Sequence, residues 1–344
     1  MNIAVIVSKW HLSNLEAYLL RSGKELDLLI ISPQSNIMNE TRFRITLEDI
    51  KKSPYLCNVK LKFEKIGFNF FVFFCNLLRS IIYKGRTNII SPGTINTSLF
   101  GWERLKGRPE FTIIDEGTAS YVHPKDHLRI SKKTGKSLRP INFWAFKLKL
   151  PLIKLISKIF KINNELLFEN KESTFNVNTH IAKSLNSVYI QRNSKEDLHT
   201  PNQNQKTILL ILDLYGPFGG ENYFYSLYKE IISSFHSKGK VYIKPHPNDL
   251  NRYSFSQDVG IIDSKKEIEH IVPLLQPDIV IGGISTSTFT IPVIFGIKTI
   301  SLLKIYLKCK NLDKDYKKRF LTFSKLSSKI VFLPSSLEEI KHEI

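Results

Sequence analysis

The chain has 344 residues, 42% of them hydrophobic and 24% charged, which is the composition of a globular protein long enough for two domains. Its three cysteines are Cys57, Cys75 and Cys309, and they have no metal-ligand or redox spacing. This excludes a zinc ribbon or a disulfide framework and favours a reducing cytoplasm. The net charge of +19 indicates an anionic partner, but no helix-turn-helix, zinc-finger or RNA-recognition signature accompanies it, so no nucleic-acid partner is expected.

The N-terminal part of the chain follows a β-α-β pattern. Residues 3–8 and 26–32 are predicted strands, and residues 12–20 have the apolar periodicity of a helix. This order is typical of a parallel sheet with right-handed crossovers. The first residues lack the basic region and cleavage site of a signal peptide, so we expect them to form a buried strand.

A strongly apolar stretch follows at residues 68–83. It is shorter than the roughly 20 residues that a membrane span needs, and polar residues interrupt it, so we predict a buried helix. The pattern after it predicts a strand at 88–91, a helix at 94–105 and a strand at 111–114.

Two adjacent carboxylates, Asp115 and Glu116, follow the last of these strands and precede Gly117. Ligands bind at the carboxyl ends of strands in open α/β sheets. Two neighbouring negative charges are unfavourable unless a cation, a buried proton or a substrate hydroxyl uses them. Gly117 allows a tight turn at this corner. The pattern therefore marks a candidate site, and a solvated turn is the alternative.

Residues 129–161 contain ten Lys or Arg residues and no acid, mixed with aromatic and aliphatic residues. A basic amphipathic segment of this kind suits an anionic membrane surface. We therefore predict a cytoplasmic protein that binds peripherally to the inner face of the plasma membrane. The alternative is an ordinary helix that packs on its domain with solvated lysines.

The polar stretch 195–206 contains Pro201 and lacks periodicity, so it is the predicted linker between domains 1–194 and 206–344. A strand is predicted near 187–191, before the linker. The second half restarts the α/β pattern. It predicts strands at 207–212, 240–244, 278–281, 298–303 and 329–333, helices at 223–235, 289–295 and 335–344, and a glycine loop at 215–221.

A second polar cluster lies at the strand ends of this half. His246 stands between Pro245 and Pro247, which stiffen its backbone, and Lys244 lies two residues earlier on the same side of the strand. The hydroxyl run 285–288 precedes a helix, whose free N–H groups and dipole favour a phosphate. Together they predict a nucleotide-phosphate site, whereas each alone could be a structural histidine or a plain N-cap.

The three motifs resemble, in order and approximate spacing, those of bacterial sialyltransferases, and most closely those of the polysialyltransferases and lipooligosaccharide sialyltransferases. The motifs are Asp115-Glu116-Gly117, His246-Pro247 and Ser285-Thr286-Ser287-Thr288. The resemblance implies a GT-B fold with two Rossmann-like domains facing across a cleft. It also implies inverting transfer from CMP-sialic acid, held mainly by the second domain, to a glycan acceptor without a metal or other cofactor.

By the same resemblance, Glu116 would be the general base that takes the proton of the acceptor hydroxyl, and Asp115 would orient it or contact the acceptor. His246 would act on the departing CMP phosphate, as an acid or an electrostatic clamp. Ser285, Thr286, Ser287 and Thr288 would bind the phosphate or the sialic acid carboxylate. Asp213 or Glu221, near the glycine loop, could serve as the base instead.

Two other functions remain open from the sequence. A polyol-phosphate or capsule polymer transferase would share the Lys-x-His-Pro motif and the hydroxyl-rich helix start. A non-catalytic membrane-bound scaffold with a degenerate GT-B fold would share only the architecture. Hydrolysis of CMP-sialic acid would separate a sialyltransferase from the polymer transferase, and inactivity with every nucleotide sugar would favour the scaffold.

Overall fold

The computed structural model describes most strands and helices of the chain. The described residues are 1–31, 45–63, 82, 85–92, 108–115, 161–171, 174–193, 205–213, 221–246, 259–264 and 266–344. They form two compact units. The first consists of the described residues of 1–167 and 180–188, and the second of those of 168–179 and 189–344.

The first unit is built on a six-stranded parallel sheet with the order β3-β2-β1-β4-β5-β6. The strands are β1 (Asn2–Ile6), β2 (Leu28–Ile31), β3 (Lys60–Phe63), β4 (Arg86–Pro92), β5 (Arg108–Ile114) and β6 (Ile162–Glu165). β1 and β2 are almost entirely apolar and buried, as strands of a covered parallel sheet are. The strand order reverses between β1 and β4, which is the switch point of this sheet.

Helix α1 (Lys9–Ser22) follows β1 directly, and the short α2 (Leu47–Lys51) precedes β3. Ser8 caps α1 by accepting a hydrogen bond from the His11 backbone N–H, and the helix ends at Gly23 with a φ of 61°. Leu12, Leu15 and Leu19 of α1 pack with residues of the sheet in one buried cluster. This spacing of three and four residues confirms the helix predicted at 12–20.

The second unit contains a five-stranded parallel sheet with the order β11-β10-β9-β12-β13. Its strands are β9 (Lys206–Ile211), β10 (Gly239–Lys244), β11 (Val259–Ile261), β12 (Ile279–Gly282) and β13 (Lys298–Ser301). β9 lies in the centre, so the strand order reverses between β9 and β12. A ligand is therefore expected at the carboxyl ends of these two strands.

Helices and a hairpin complete the second unit. The hairpin is β7 (Phe168–Lys171) and β8 (Thr174–Val177). α3 (Thr179–Asn193) follows β8, and its residues 180–188 belong to the first unit. The other helices are α4 (Glu221–Phe235), α5 (Ile268–Leu275), α6 (Thr286–Phe295), α7 (Leu303–Tyr306), α8 (Lys314–Ser327) and α9 (Leu337–Glu343). Two parallel sheets with flanking helices confirm the predicted α/β class. Among the described residues, no helix is long and apolar enough to cross a membrane.

Three local predictions are wrong. The strand expected near 187–191 is the last part of α3, because Leu185, Val188 and Tyr189 are buried at helical spacing although Val and Tyr favour strands. The strand expected at 329–333 is a single bridge between Phe332 and Ile300. The strand expected at 298–303 ends at Ser301, and α7 begins two residues later.

Other predictions lie wholly or mainly outside the described residues. They are the helices at 68–83 and 94–105, the basic segment 129–161, the linker 195–206 and the glycine loop 215–221. The domain limits 1–194 and 206–344 stay a prediction from composition.

Candidate functional site

The carboxyl ends of β9, β10 and β12 lie at one edge of the second sheet and carry the polar residues of the predicted site. Asp213 follows β9, His246 follows β10, and Gly283 follows β12. Because all three strands are parallel, their carboxyl ends meet at this edge. The switch point between β9 and β12 falls here, so the structure brings the two C-terminal motifs to one place.

Asp213 holds the loop that leads from β12 into α6. Its side chain is buried, and its Oδ2 accepts hydrogen bonds from the Ile284 backbone N–H and the Tyr306 hydroxyl, each at 3.2 Å. The same oxygen would lie 1.7 Å from a Cβ placed on Gly283. Only glycine fits at position 283, because the carboxylate packs directly on its Cα.

Two buried tyrosines support this carboxylate. The hydroxyls of Tyr306 and Tyr228 are 3.0 Å apart, and the Tyr228 hydroxyl accepts from the Asp213 backbone N–H at 3.2 Å. Since Tyr306 donates its proton to Asp213, Tyr228 donates to Tyr306. The chain of donors runs from Tyr228 to Asp213, which suits a fixed anchor better than a base open to an acceptor.

Lys244, at the end of β10, is buried rather than presented to a ligand. Its Nζ donates to the backbone carbonyls of Ser264 at 2.9 Å and Pro245 at 3.2 Å. Burial lowers the pKa of Lys244 to about 8, against the opposing effect of nearby carboxylates, that of Glu269 the largest. The amine therefore ties the end of β10 to the segment after β11. A direct contact of Lys244 with a bound phosphate, as the sequence predicts, stays a prediction.

His246 is half-buried in the turn that this lysine supports. Burial and, to a smaller extent, the positive charge of Lys244 together lower the pKa of His246 to about 4. The imidazole is therefore neutral near pH 7 in the ligand-free protein. An anion bound beside the ring would favour its protonated form. Pro247 lies outside the described residues.

The hydroxyl run is the first turn of α6 rather than a segment before it. Ser285 is the N-cap residue, and the helix begins at Thr286, three residues earlier than predicted. Thr288 is fully buried, with its Oγ1 2.4 Å from a Cβ placed on Gly282. Ser287 donates to Glu269 at 2.7 Å. The four hydroxyls thus differ in environment, and two of them face the protein interior.

Glu269 in α5 is a site residue that the sequence does not reveal. It is 7% exposed, and its Oε1 accepts from the Ser287 hydroxyl and from the Thr290 hydroxyl at 3.0 Å. Burial raises the pKa of Glu269, and the charge of Glu267 adds to this effect, while the two hydroxyls oppose it. The only hint in the sequence is an acid inside the apolar run 268–275.

Asp115, at the end of β5 in the first unit, is also buried. Its Oδ2 accepts from the Leu167 backbone N–H at 3.1 Å, and its Oδ1 accepts from the Trp10 indole at 3.4 Å. The carboxylate thus connects the start of α1 with the segment after β6. This geometry suits the orienting role predicted for Asp115 better than contact with an acceptor. Glu116 and Gly117 lie outside the described residues.

The described part of the chain has no group of three or more His, Cys, Asp or Glu residues placed to hold a metal ion. What the geometry offers is an anion site. At the switch point, the start of α6 supplies N–H groups and hydroxyls, and the imidazole of His246 lies at the end of a nearby strand.

Comparisons with known proteins give one family and several solved structures of low sequence identity. The family model described as alpha-2,8-polysialyltransferase (POLYST) matches residues 2–304. No curated protein matches the chain in sequence. Among solved structures, the GT-B domain of a sialyltransferase from Photobacterium damselae is 14% identical, with 97% of this chain and 100% of that chain covered and a TM-score of 0.43. The UDP-GlcNAc 2-epimerase from Neisseria meningitidis bound to UDP-GlcNAc is 12% identical, with coverages of 100% and 98% and a TM-score of 0.49.

Proposed function

The chain belongs to the alpha-2,8-polysialyltransferase family, and from this we propose that it transfers sialic acid from CMP-sialic acid to a glycan acceptor. The acceptor is a galactoside or sialoside of a bacterial surface polysaccharide or lipooligosaccharide. One observation carries the proposal: the end of the strand before His246 and the start of α6 lie at the same edge of the sheet. A nucleotide phosphate is the ligand that such an edge favours.

The second unit binds the donor in this proposal. The N–H groups at the start of α6 and the Ser285 hydroxyl meet the CMP phosphate or the sialic acid carboxylate. The neutral imidazole of His246 donates a hydrogen bond to the phosphate and takes up a proton as negative charge grows there. A group that responds to developing charge stabilises the transition state more than the bound donor.

The first unit supplies the base. The acceptor hydroxyl oxygen attacks the anomeric carbon of sialic acid from the face opposite the phosphate, and the hydroxyl proton passes to Glu116. The bond between that carbon and the phosphate oxygen breaks, and CMP leaves with the electron pair. The configuration inverts, and no metal takes part. Asp115, held by Trp10 and the Leu167 N–H, keeps the corner that carries Glu116 in place.

The basic segment 129–161 places the enzyme on an anionic membrane surface in the same proposal. Ten basic residues without an acid make this stretch attractive to anionic lipids. The acceptor glycolipid or polysaccharide would then meet the enzyme at the inner face of the plasma membrane.

Incubation with CMP-sialic acid and a panel of galactosides and sialosides tests the proposal. We expect CMP release that depends on the acceptor, and a product with one inverted linkage by NMR. Glu116→Gln should lower kcat by about 10²- to 10⁴-fold and leave CMP binding nearly unchanged, because only the base is lost. His246→Ala should lower kcat much more than it raises KM for the donor.

A donor with a better leaving group separates the two roles further. It should rescue His246→Ala, which lacks help for the leaving phosphate, but not Glu116→Gln, which lacks the base. Rescue of neither variant would show that His246 has a structural role only. Activity with another nucleotide donor and none with CMP-sialic acid would favour a polyol-phosphate or capsule polymer transferase.

A further inference from the structure

One carboxylate oxygen holds the first two turns of α6. Oε1 of Glu269 accepts from the Ser287 hydroxyl at 2.7 Å and from the Thr290 hydroxyl at 3.0 Å. The two donors are three residues apart, so they lie on the same side of the helix. Glu269 is buried in α5, which packs beside α6. The carboxylate therefore fixes both the rotation of α6 and the position of its start.

The same carboxylate acts electrostatically on the support of His246. Its charge raises the pKa of Lys244, together with those of Asp263 and Glu267, against the larger effect of burial. Lys244 in turn holds the Pro245 and Ser264 carbonyls. The positive amine and the acidic group thus lie within one buried region, between the end of β10 and the start of α6.

We propose that Glu269 is a positioning residue for the donor site, and that it divides the hydroxyl run between two tasks. Ser287 and Thr290 bind Glu269 and set the helix, whereas Ser285 at the N-cap and the N–H groups beside it bind the phosphate of the donor. Ser287 then contributes to donor binding through Glu269 and not by contact. This inference rests on the proposed binding of CMP-sialic acid.

The geometry supports this division in two ways. The Ser287 hydroxyl has one proton, and it is directed at a buried carboxylate oxygen at 2.7 Å. A phosphate could receive that proton only if the bond to Glu269 broke. The side chain of Ser285, by contrast, makes no capping hydrogen bond in the described part of the chain. Its oxygen is therefore not committed to the helix it precedes.

The test measures CMP binding to the full chain by isothermal titration calorimetry. Glu269→Ala should weaken CMP binding about tenfold, because the start of α6 loses its anchor. Glu269→Gln should stay within about threefold, because the amide oxygen still accepts from both hydroxyls. Ser287→Ala should weaken binding by less than Glu269→Ala. The double variant Glu269→Ala/Ser287→Ala should bind as Glu269→Ala does, since both changes remove one interaction.

The matched control for Ser287→Ala is Ser233→Ala, which removes an exposed helix hydroxyl bonded to the Lys229 carbonyl. It should bind CMP as the unmodified protein does. Independent effects of Glu269→Ala and Ser287→Ala, which multiply in the double variant, would overturn the inference. If Glu269→Ala does not fold, Ser287→Ala and Thr290→Val remove the two donors from the other side, and their combined effect should equal that of Glu269→Ala as predicted, about tenfold.

Hydrogen exchange of the α6 amides gives a readout without ligand. Glu269→Ala or the Ser287/Thr290 double variant should speed exchange in the first two turns of α6, whereas Ser233→Ala should not. Unchanged exchange refutes the positioning role of Glu269. If the unmodified chain binds no CMP while these exchange effects are present, the proposed donor is wrong and the anchoring of α6 still holds.

Discussion

Replacement of Asp213 distinguishes a fixed anchor from a catalytic base. Asp213→Ala removes the acceptor of the Ile284 N–H and the Tyr306 hydroxyl, both 3.2 Å from Oδ2. A buried donor left without an acceptor costs about 1–3 kcal/mol. We therefore expect the free energy of unfolding to fall by about 3 kcal/mol, and the melting temperature by roughly 10 °C.

Asp213→Asn is the informative partner of this variant. The amide oxygen can occupy the place of Oδ2 and accept from both donors, so stability should stay within about 1 kcal/mol of the original value. Transfer activity should then be largely kept. Urea unfolding followed by circular dichroism measures the first quantity, and CMP release with a fixed acceptor measures the second.

A catalytic role for Asp213 would refute the anchor role. If Asp213 is the base, Asp213→Asn keeps stability and CMP binding but loses about 10²- to 10⁴-fold in kcat. Glu116→Gln would in that case retain most of its activity. The two variants together assign the base to one carboxylate.

Three further predictions follow from the same structure. Burial lowers the pKa of His246 to about 4 and that of His11 to about 3, so below pH 6.5 both rings are protonated in the unfolded chain but neutral in the folded chain. The free energy of unfolding should therefore fall from pH 6.5 to 4 by up to about 1.4 kcal/mol per pH unit for each ring. His246→Asn should remove the part of this pH dependence that comes from His246. Gly283→Ala should lower the free energy of unfolding by about 3 kcal/mol or more, because the new Cβ would lie 1.7 Å from Asp213 Oδ2. Gly23→Ala, where the Cβ meets open space but φ is 61°, should lower it by about 1 kcal/mol. Urea unfolding measures both. Replacing four lysines of the basic segment with Gln should release the protein from anionic vesicles, at about 1 kcal/mol per residue (Lys147, Lys149, Lys154, Lys158). Co-sedimentation equal to that of a variant with four exposed lysines changed elsewhere would contradict this (Lys24, Lys52, Lys60, Lys240).

The sheets and their polar strand ends were predictable from the sequence. Buried parallel strands are continuous apolar runs, and those at β1, β9 and β12 are followed within two residues by a small or polar residue. A strand that ends in Asp, His or Gly places that residue at the ligand edge of the sheet. Asp115, His246 and the hydroxyl run 285–288 were therefore found from local patterns, although α6 begins three residues earlier than predicted.

The partners of these residues were not predictable, because they come from distant parts of the chain. Glu269 contacts Ser287 from another helix, 18 residues away, and no local pattern encodes that contact. The sequence places Lys244 in a predicted phosphate site, yet the backbone carbonyls of Ser264 and Pro245 accept from its amine inside the fold. A strand was predicted in place of the end of α3 because Val188 and Tyr189 favour strands. In the fold, burial of both side chains on one face of the helix outweighs that preference.

The central place of β9 has a consequence for synthesis of the chain. β10 follows β9 closely in the chain, but the other edge of β9 has no partner until β12 is made. Asp278, the residue before β12, is 71 positions after its partner Thr207. At about 5–20 residues per second, ribosomes need roughly 4–14 s to make that stretch. During this time an apolar strand edge on the nascent chain is open to wrong partners. Slow elongation or truncation before 278 should therefore promote aggregation of newly made chains, even though the finished sheet covers that edge.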